Sequence, residues 1–238
     1  MKKLLLPFFA FVIATLALSS CMFNVMDPEG EYMSRSYDVE PFENISISAG
    51  MELILTQDST TSVKIDTYEN FYKHINVEVI DNTLKLTKDI EVSFRNPKIK
   101  VYVNIAKLDE IEASSGSSIN LNSGWTAEEL EIDMSSGSSA YGNINLKRFD
   151  LSMSSGAEAQ LEGTVEDFSI EASSGSSFRG FELQTINGRA DLSSGSMAEI
   201  NTSGSLYAEG SSGSTIRYKG TSDITIKTSS GASVNRVE

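Results

Sequence analysis

The sequence predicts an all-β fold, a single-stranded parallel β-helix (solenoid) with coils of about 19 residues. Three observations predict it. Ser-Ser-Gly recurs seven times, at 114–116, 135–137, 154–156, 173–175, 193–195, 211–213 and 229–231. Apolar residues alternate with polar ones almost everywhere after Tyr37, the two-residue period of a half-buried strand. No stretch carries a helical period with caps; only "KLDEI" and "TAEEL" are compatible with a single short turn.

The first element is a targeting segment. Lys2 and Lys3 precede an apolar run from Leu4 to Leu18, followed by small residues. "LSSC" (Leu18 to Cys21) resembles a bacterial lipobox, which implies cleavage after Ser20 and lipids on Cys21. Residues 1–20 are therefore read as a lipoprotein signal peptide. A secreted form and an uncleaved anchor are the alternatives, the latter because the run is close to the shortest that spans a bilayer. Residues 21–36 lack periodicity and carry Asp-Pro and Glu-Gly, and are read as a tether that holds the domain clear of the bilayer.

Residues 37–238 then form one domain. Its N-terminal part, 37–105, holds alternating runs such as "NISISAGMELILTQ" and "KIKVYVNI", with a tight turn expected at Asp81-Asn82-Thr83. The remainder, 106–238, holds the seven repeats. Their glycines are Gly116, Gly137, Gly156, Gly175, Gly195, Gly213 and Gly231, spaced by 21, 19, 19, 20, 18 and 18 residues. Aligned on those glycines, apolar columns emerge. Five residues before stand Ile111, Ile132, Leu151, Ile170, Ala190, Ala208 and Ile226; three after stand Ile119, Ala140, Ala159, Phe178, Ala198, Ile216 and Val234.

A unit of that length cannot bury its own apolar face and must stack on its neighbours. For strands the result is one coil per repeat, with rungs about 4.8 Å apart. A propeller blade needs about 40 residues, so the period excludes one. At each coil corner glycine supplies a positive φ. The two serines before it are expected to stack into a hydroxyl ladder, with small residues required so as not to block the next coil. A serine-lined binding face is the functional alternative.

"EPFENISISAGMELILTQ", "INVEVIDNTLKLT" and the Ser-Ser-Gly coils together resemble the auto-transporter adhesin, head GIN domain family, over roughly Tyr37 to Glu238. The resemblance implies a right-handed β-helix on surface or envelope proteins, many of them lipoproteins of Bacteroides-like bacteria. It supplies no catalytic residue to carry over.

Composition narrows function further. Loss of Lys2 and Lys3 leaves 17 basic against 33 acidic residues, a mature charge of 17 − 33 = −16. Such a polyanion repels nucleic acid and anionic headgroups, so membrane attachment is expected through lipid rather than a basic patch. Cys21 is the only cysteine, which excludes an internal disulfide and a thiolate zinc cluster.

Four residues before the glycines stand Glu112, Asp133, Glu171, Asp191 and Glu209, broken by Ser152 and Lys227; Glu110, Glu131 and Asp150 join the same outward face. The plain reading is a solvated face, and the sharper one weak capture of Ca²⁺ by carboxylates. No other cofactor is expected. The scattered Arg179, Arg189, Arg217 and Lys219 are read as sharing no column, which speaks against a polysaccharide lyase with a basic catalyst. His74, the sole histidine, reads as a strand-end surface residue, and Trp125 as a cover for a coil edge or a sugar platform.

The expected protein is thus a non-enzymatic envelope lipoprotein on the outer membrane, an adhesin or a module that binds a glycan or envelope protein. Weak self-association through the C-terminal coil is also expected. A carbohydrate-active β-helix enzyme and a purely structural envelope component are the alternatives.

Overall fold

The structure, a computed structural model, describes residues 24–220 and 223–238. The signal peptide and Cys21 lie outside the described residues. In chain order the strands are β1 (Asn24–Met26), β2 (Tyr32–Tyr37), β3 (Asn44–Ile47), β4 (Glu52–Gln57) and β5 (Ser62–Tyr68). A 3₁₀ helix (Glu69–His74) follows, then β6 (Ile75–Ile80), β7 (Thr83–Lys88), β8 (Val92–Phe94), β9 (Lys100–Ile105) and β10 (Glu110–Ala113). The repeats supply β11 (Ser118–Met134), β12 (Ser139–Met153), β13 (Glu158–Ala172), β14 (Ser177–Leu192), β15 (Met197–Gly210), β16 (Thr215–Lys219), β17 (Asp223–Thr228) and β18 (Ser233–Arg236).

The repeats wind into the expected solenoid, each coil pairing in parallel with the next. Ile111, Ile132, Leu151, Ile170, Ala190, Ala208 and Ile226 are successive register partners, so the column read from sequence is a physical stack. The column three residues after the glycines stacks likewise from Ile119 to Val234. Bulk is shared between layers: Phe149 stacks on Phe168 at 5.5 Å, Phe168 meets Phe178 at 5.3 Å, and Gly188 and Ala190 occupy the rung above. Alternating large and small side chains in this way fills a narrow core without strain.

Each corner is a tight turn whose two central residues, a serine and the glycine, both have positive φ, as at Ser115 (52°) and Gly116 (73°). Ser117 N donates to Ser114 O at 3.1 Å, closing a turn with the φ signs of type I′. Backbone bonds between coils continue through it. Ser135 N donates to Ala113 O (2.9 Å), Gly116 N to Ser136 O (3.1 Å) and Ser139 N to Ser117 O (2.9 Å).

One expectation about this corner is corrected. The ladder is made of backbone groups, not of hydroxyls from the two serines before glycine. The central serine of each turn is exposed, because a type I′ turn points its middle side chains outward. The buried hydroxyl belongs instead to the residue after glycine. Ser117 Oγ donates to Ser114 O (2.8 Å) and Ser196 Oγ to Ser193 O (2.7 Å), fastening the turn from inside. The corner glycines supply the expected positive φ and have open space around them: a Cβ on any of the seven would meet nothing within 4 Å. Their requirement is conformational. Crowding occurs instead inside β13, where a Cβ on Gly163 would lie 2.1 Å from Ile144 O.

The N-terminal strands build a further coil and then close its end. β3 pairs with β10 and β4 with β11, and Ala49 (65°) and Gly50 (71°) repeat the corner, with Gly50 N donating to Ser115 O at 3.0 Å. β7 lies on β3 and β6 folds back on β7 through Asp81-Asn82, both at positive φ, the turn expected there. β9 lies on β4, and β5 and β2 extend that side antiparallel. The first coil therefore has no bare edge.

The tether is also corrected. From Asn24 the chain is part of the fold, as β1 pairs with β8 and β2 with β5. Both strands are held by ladder bonds on a solvent-facing surface, and β2 is exposed along nearly its whole length. A strand that buries neither face leaves no apolar alternation to read. Neither "KLDEI" nor "TAEEL" forms a helical turn; the second lies inside β11. Among the described residues the one helix is "ENFYKH", which buries Phe71 and Tyr72.

The two glycine classes predict different costs. Gly156→Ala, at φ 74° in open space, should destabilise by about 1 kcal/mol. Gly163→Ala, which adds a clash with a carbonyl, should cost about 3 kcal/mol or more. Urea unfolding of the two variants compares them; equal midpoints would place the steric limit elsewhere.

Candidate functional site

Along each coil the residues four before the corner glycine point outward, and the ladder register stacks them. Ser46, Glu112, Asp133, Ser152, Glu171, Asp191 and Glu209 form one continuous row across seven rungs. Two positions later on each coil stands the first serine of the turn. Between the two rows runs an open trough of about 660 Å³, lined by those acids on one wall and by Ser114, Ser135, Ser154, Ser173, Ser193 and Ser211 on the other. Ala113, Met134, Met153, Ala172 and Leu192 form its floor. Rungs about 4.8 Å apart give the trough a length near 29 Å. The acidic row and the serine row, which the sequence presented as separate features, are thus opposite walls of one surface.

The charge along the trough is uneven. At its N-terminal end Glu110 and Glu131 are register partners, as are Glu112 and Asp133. Partial burial, then the charges of Glu112, Glu131 and Asp133, push the Glu110 carboxyl above its ordinary range. Glu131 is raised by burial and then by Asp133, Asp150 and Glu129. At the other end cations intervene. Arg189 pairs with Asp191 at 2.6 Å and lies over the Tyr207 ring at 4.6 Å. Tyr207 donates its hydroxyl to Glu209 at 2.5 Å, with Lys227 on the same ring at 5.1 Å.

Among the described residues, no three of His, Cys, Asp and Glu converge to hold a metal ion. Glu112, Asp133, Glu171, Asp191 and Glu209 are arranged as a line rather than a cage, and a hard cation needs six to eight oxygens around one point.

Residues 41–222 match the family model described as "Putative auto-transporter adhesin, head GIN domain". The chain belongs to this family. The head GIN domain is similar in fold to a "putative adhesin" of Bacteroides fragilis, with 20% identity, a TM-score of 0.82, and 89% of this chain and 100% of that one covered. A "putative lipid binding protein" of Parabacteroides distasonis aligns at 21% identity and TM-score 0.71, covering 90% and 100%. A "putative adhesin" of Parabacteroides merdae aligns at 17% identity and TM-score 0.67, covering 90% and 99%. No protein of curated function matches.

The remaining candidates in the head GIN domain fall outside the trough. Trp125 is fully buried, opposite Ile144, with its indole N–H lacking a partner among the described residues. It is a core residue, neither a coil-edge cover nor a sugar platform; "NSGWTAEE" is polar around it, which hid its inward parity. His74 ends the 3₁₀ helix and holds Asp89 through Nδ1 at 2.9 Å, a bond that keeps the Asp89 carboxyl below its usual range.

The cations are less scattered than their sequence positions suggest, since Arg179, Glu199 and Arg217 do share a column. Arg217 is paired with Glu199 at 2.6 Å and lies over Phe181, beside Lys219, which reaches Glu182 at 3.7 Å. A paired guanidinium is always protonated and is no catalytic base.

The raised carboxyls predict a pH effect. Between the ordinary carboxylate value and the raised one, the folded state binds more protons than the unfolded state, so stability falls as pH rises through that window. Glu131→Gln should flatten this fall and leave the domain at pH 7 more stable by a few tenths of a kcal/mol, the group being largely solvated. Urea midpoints from about pH 4 to 8 check it. A steeper fall in the variant would reverse the assignment.

Proposed function

We propose that this chain is a non-enzymatic, lipid-anchored protein of the cell envelope that presents the trough as a contact surface for a neutral glycan. The supporting observation is the trough itself: carboxylates on five of its seven rungs, with Ser46 and Ser152 on the other two, facing the row of turn serines along an open groove. Carboxylates accept hydrogen bonds from sugar hydroxyls, and serines both donate and accept. The same carboxylates repel anionic polymers, which excludes acidic glycans and nucleic acid as occupants. Membership of a family described as adhesins supports a cell-surface or envelope location. The lipobox-like "LSSC" supports attachment through Cys21 to the outer membrane.

The reading carries two expected outcomes. Cys21→Ser should move the protein from the membrane to the soluble fraction; retention in the membrane fraction would remove the lipid anchor from this account. On a glycan array, residues 24–238 should bind neutral glycans, and the double variant Asp133→Asn, Glu171→Gln should lose at least tenfold in apparent affinity, the equivalent of about two lost hydrogen bonds. Absence of glycan binding, or binding indifferent to the variant, would overturn the trough as the contact surface. Release of unsaturated sugars from a uronic-acid glycan would instead make the protein a lyase and overturn the preference for neutral glycans.

A further inference from the structure

The end of the molecule at which the chain enters the fold carries a second surface, whose reading rests on the lipidation of Cys21 proposed above. β1 pairs in parallel with β8, Asn24 with Val92 and Val25 with Ser93. Parallel strands begin at the same end. The chain coming from Cys21 therefore joins the fold beside the residues that precede Val92, namely Asp89, Ile90 and Glu91.

Those residues form a tight turn, closed by Val92 N donating to Asp89 O at 3.2 Å. Ile90 stands at its tip and is 85% exposed, and Val25 of β1, the register partner of Ser93, is 49% exposed. Transfer of so exposed an aliphatic side chain into an apolar phase is favourable.

The turn is held rigidly. Asp89 N donates to His74 O at 3.0 Å, and the Asp89 carboxylate takes bonds from His74 (2.9 Å) and Asn76 (3.2 Å). Lys88 Nζ bonds Val92 O across it. β1 is fixed to the same unit, since Arg95 N donates to Met26 O at 2.9 Å and the Arg95 guanidinium pairs with Asp27 at 3.1 Å.

Chain length then decides what faces the turn. Asn24 follows Cys21 by three residues, and a fully extended chain covers at most about 3.6 Å per residue, so the two Cα atoms are no more than about 11 Å apart. The headgroup region of one leaflet is of order 5–8 Å deep. A lipid on Cys21 thus draws the Asp89–Glu91 turn down to the bilayer surface. Between 88 and 98 the charges are Lys88, Arg95 and Lys98 against Asp89 and Glu91, so this segment lacks the acidic excess of the whole chain. We infer that this turn is a membrane-contacting finger, with Ile90 and Val25 seated at the boundary between headgroups and acyl chains.

The test exploits the single thiol. The chain beginning at Cys21 is coupled to maleimide-headgroup lipid in phosphatidylcholine vesicles, with and without bromine on the acyl chains. Ile90→Trp adds an indole at the finger, Val25→Trp one beside it, and Ile186→Trp one on the exposed surface of β14 as the control. The emission of buried Trp125, measured on the parent chain, is subtracted from that of each variant. The indoles of Ile90→Trp and Val25→Trp should lose at least half of their emission on brominated vesicles, with that of Ile186→Trp unchanged. Equal emission of all three overturns the finger, as does a blue shift without bromine quenching, which would mean that a second copy covers it. Because the coupling is chemical, failure here is distinct from failure of native lipidation, which the Cys21→Ser fractionation reads.

Discussion

Backbone hydrogen bonds that pass from coil to coil even through the tightest bend set the terms for every other feature of the molecule. A bend normally leaves N–H and C=O groups without ladder partners. Here Gly116 N, Gly137 N, Gly156 N and their counterparts reach the central serine carbonyl of the next turn, so the turns stack as regularly as the strands. Once the turns are in register, residues at equal distance from them must be in register too. Inward positions become the core columns and outward positions become the walls of the trough.

That constraint also explains which parts of the fold were legible. The columns from Ile111 to Ile226 and from Ile119 to Val234 could be read by counting from the glycines, because register leaves no freedom. The same count extends to Gly50, with Ile45, Ile47 and Leu53 at the matching offsets, and finds the additional coil. The role of the serines was not legible. Which of three adjacent hydroxyls is buried depends on the turn type, and Ser-Ser-Gly-Ser is compatible with several. β1 and β2 were invisible for a different reason: strands stabilised by ladder bonds on an exposed surface leave no imprint on hydropathy.

The candidate site shows the same division. Its two walls were present in sequence as an acidic column and a serine column, but their facing each other across a groove depends on the angle of the turn. The uneven charge was less visible still. Arg189 and Tyr207 stand in the column that Glu110, Glu131 and Asp150 begin, and they reach sideways to Asp191 and Glu209. Pairing between adjacent columns on one strand cannot be inferred from either column alone.

The coils differ in length, and the structure places the difference. Register shifts fall between Leu121 and Trp125, Gln160 and Gly163, Gly180 and Gln184, and Thr185 and Asn187, all on the part of the coil away from the serine turns. Insertions and deletions accumulated over descent can therefore be absorbed on one flank while the other keeps its phase. Point substitutions in the outward rows leave the core columns untouched. A lineage could thus change the surface this groove presents, one rung at a time, without renegotiating how the protein folds.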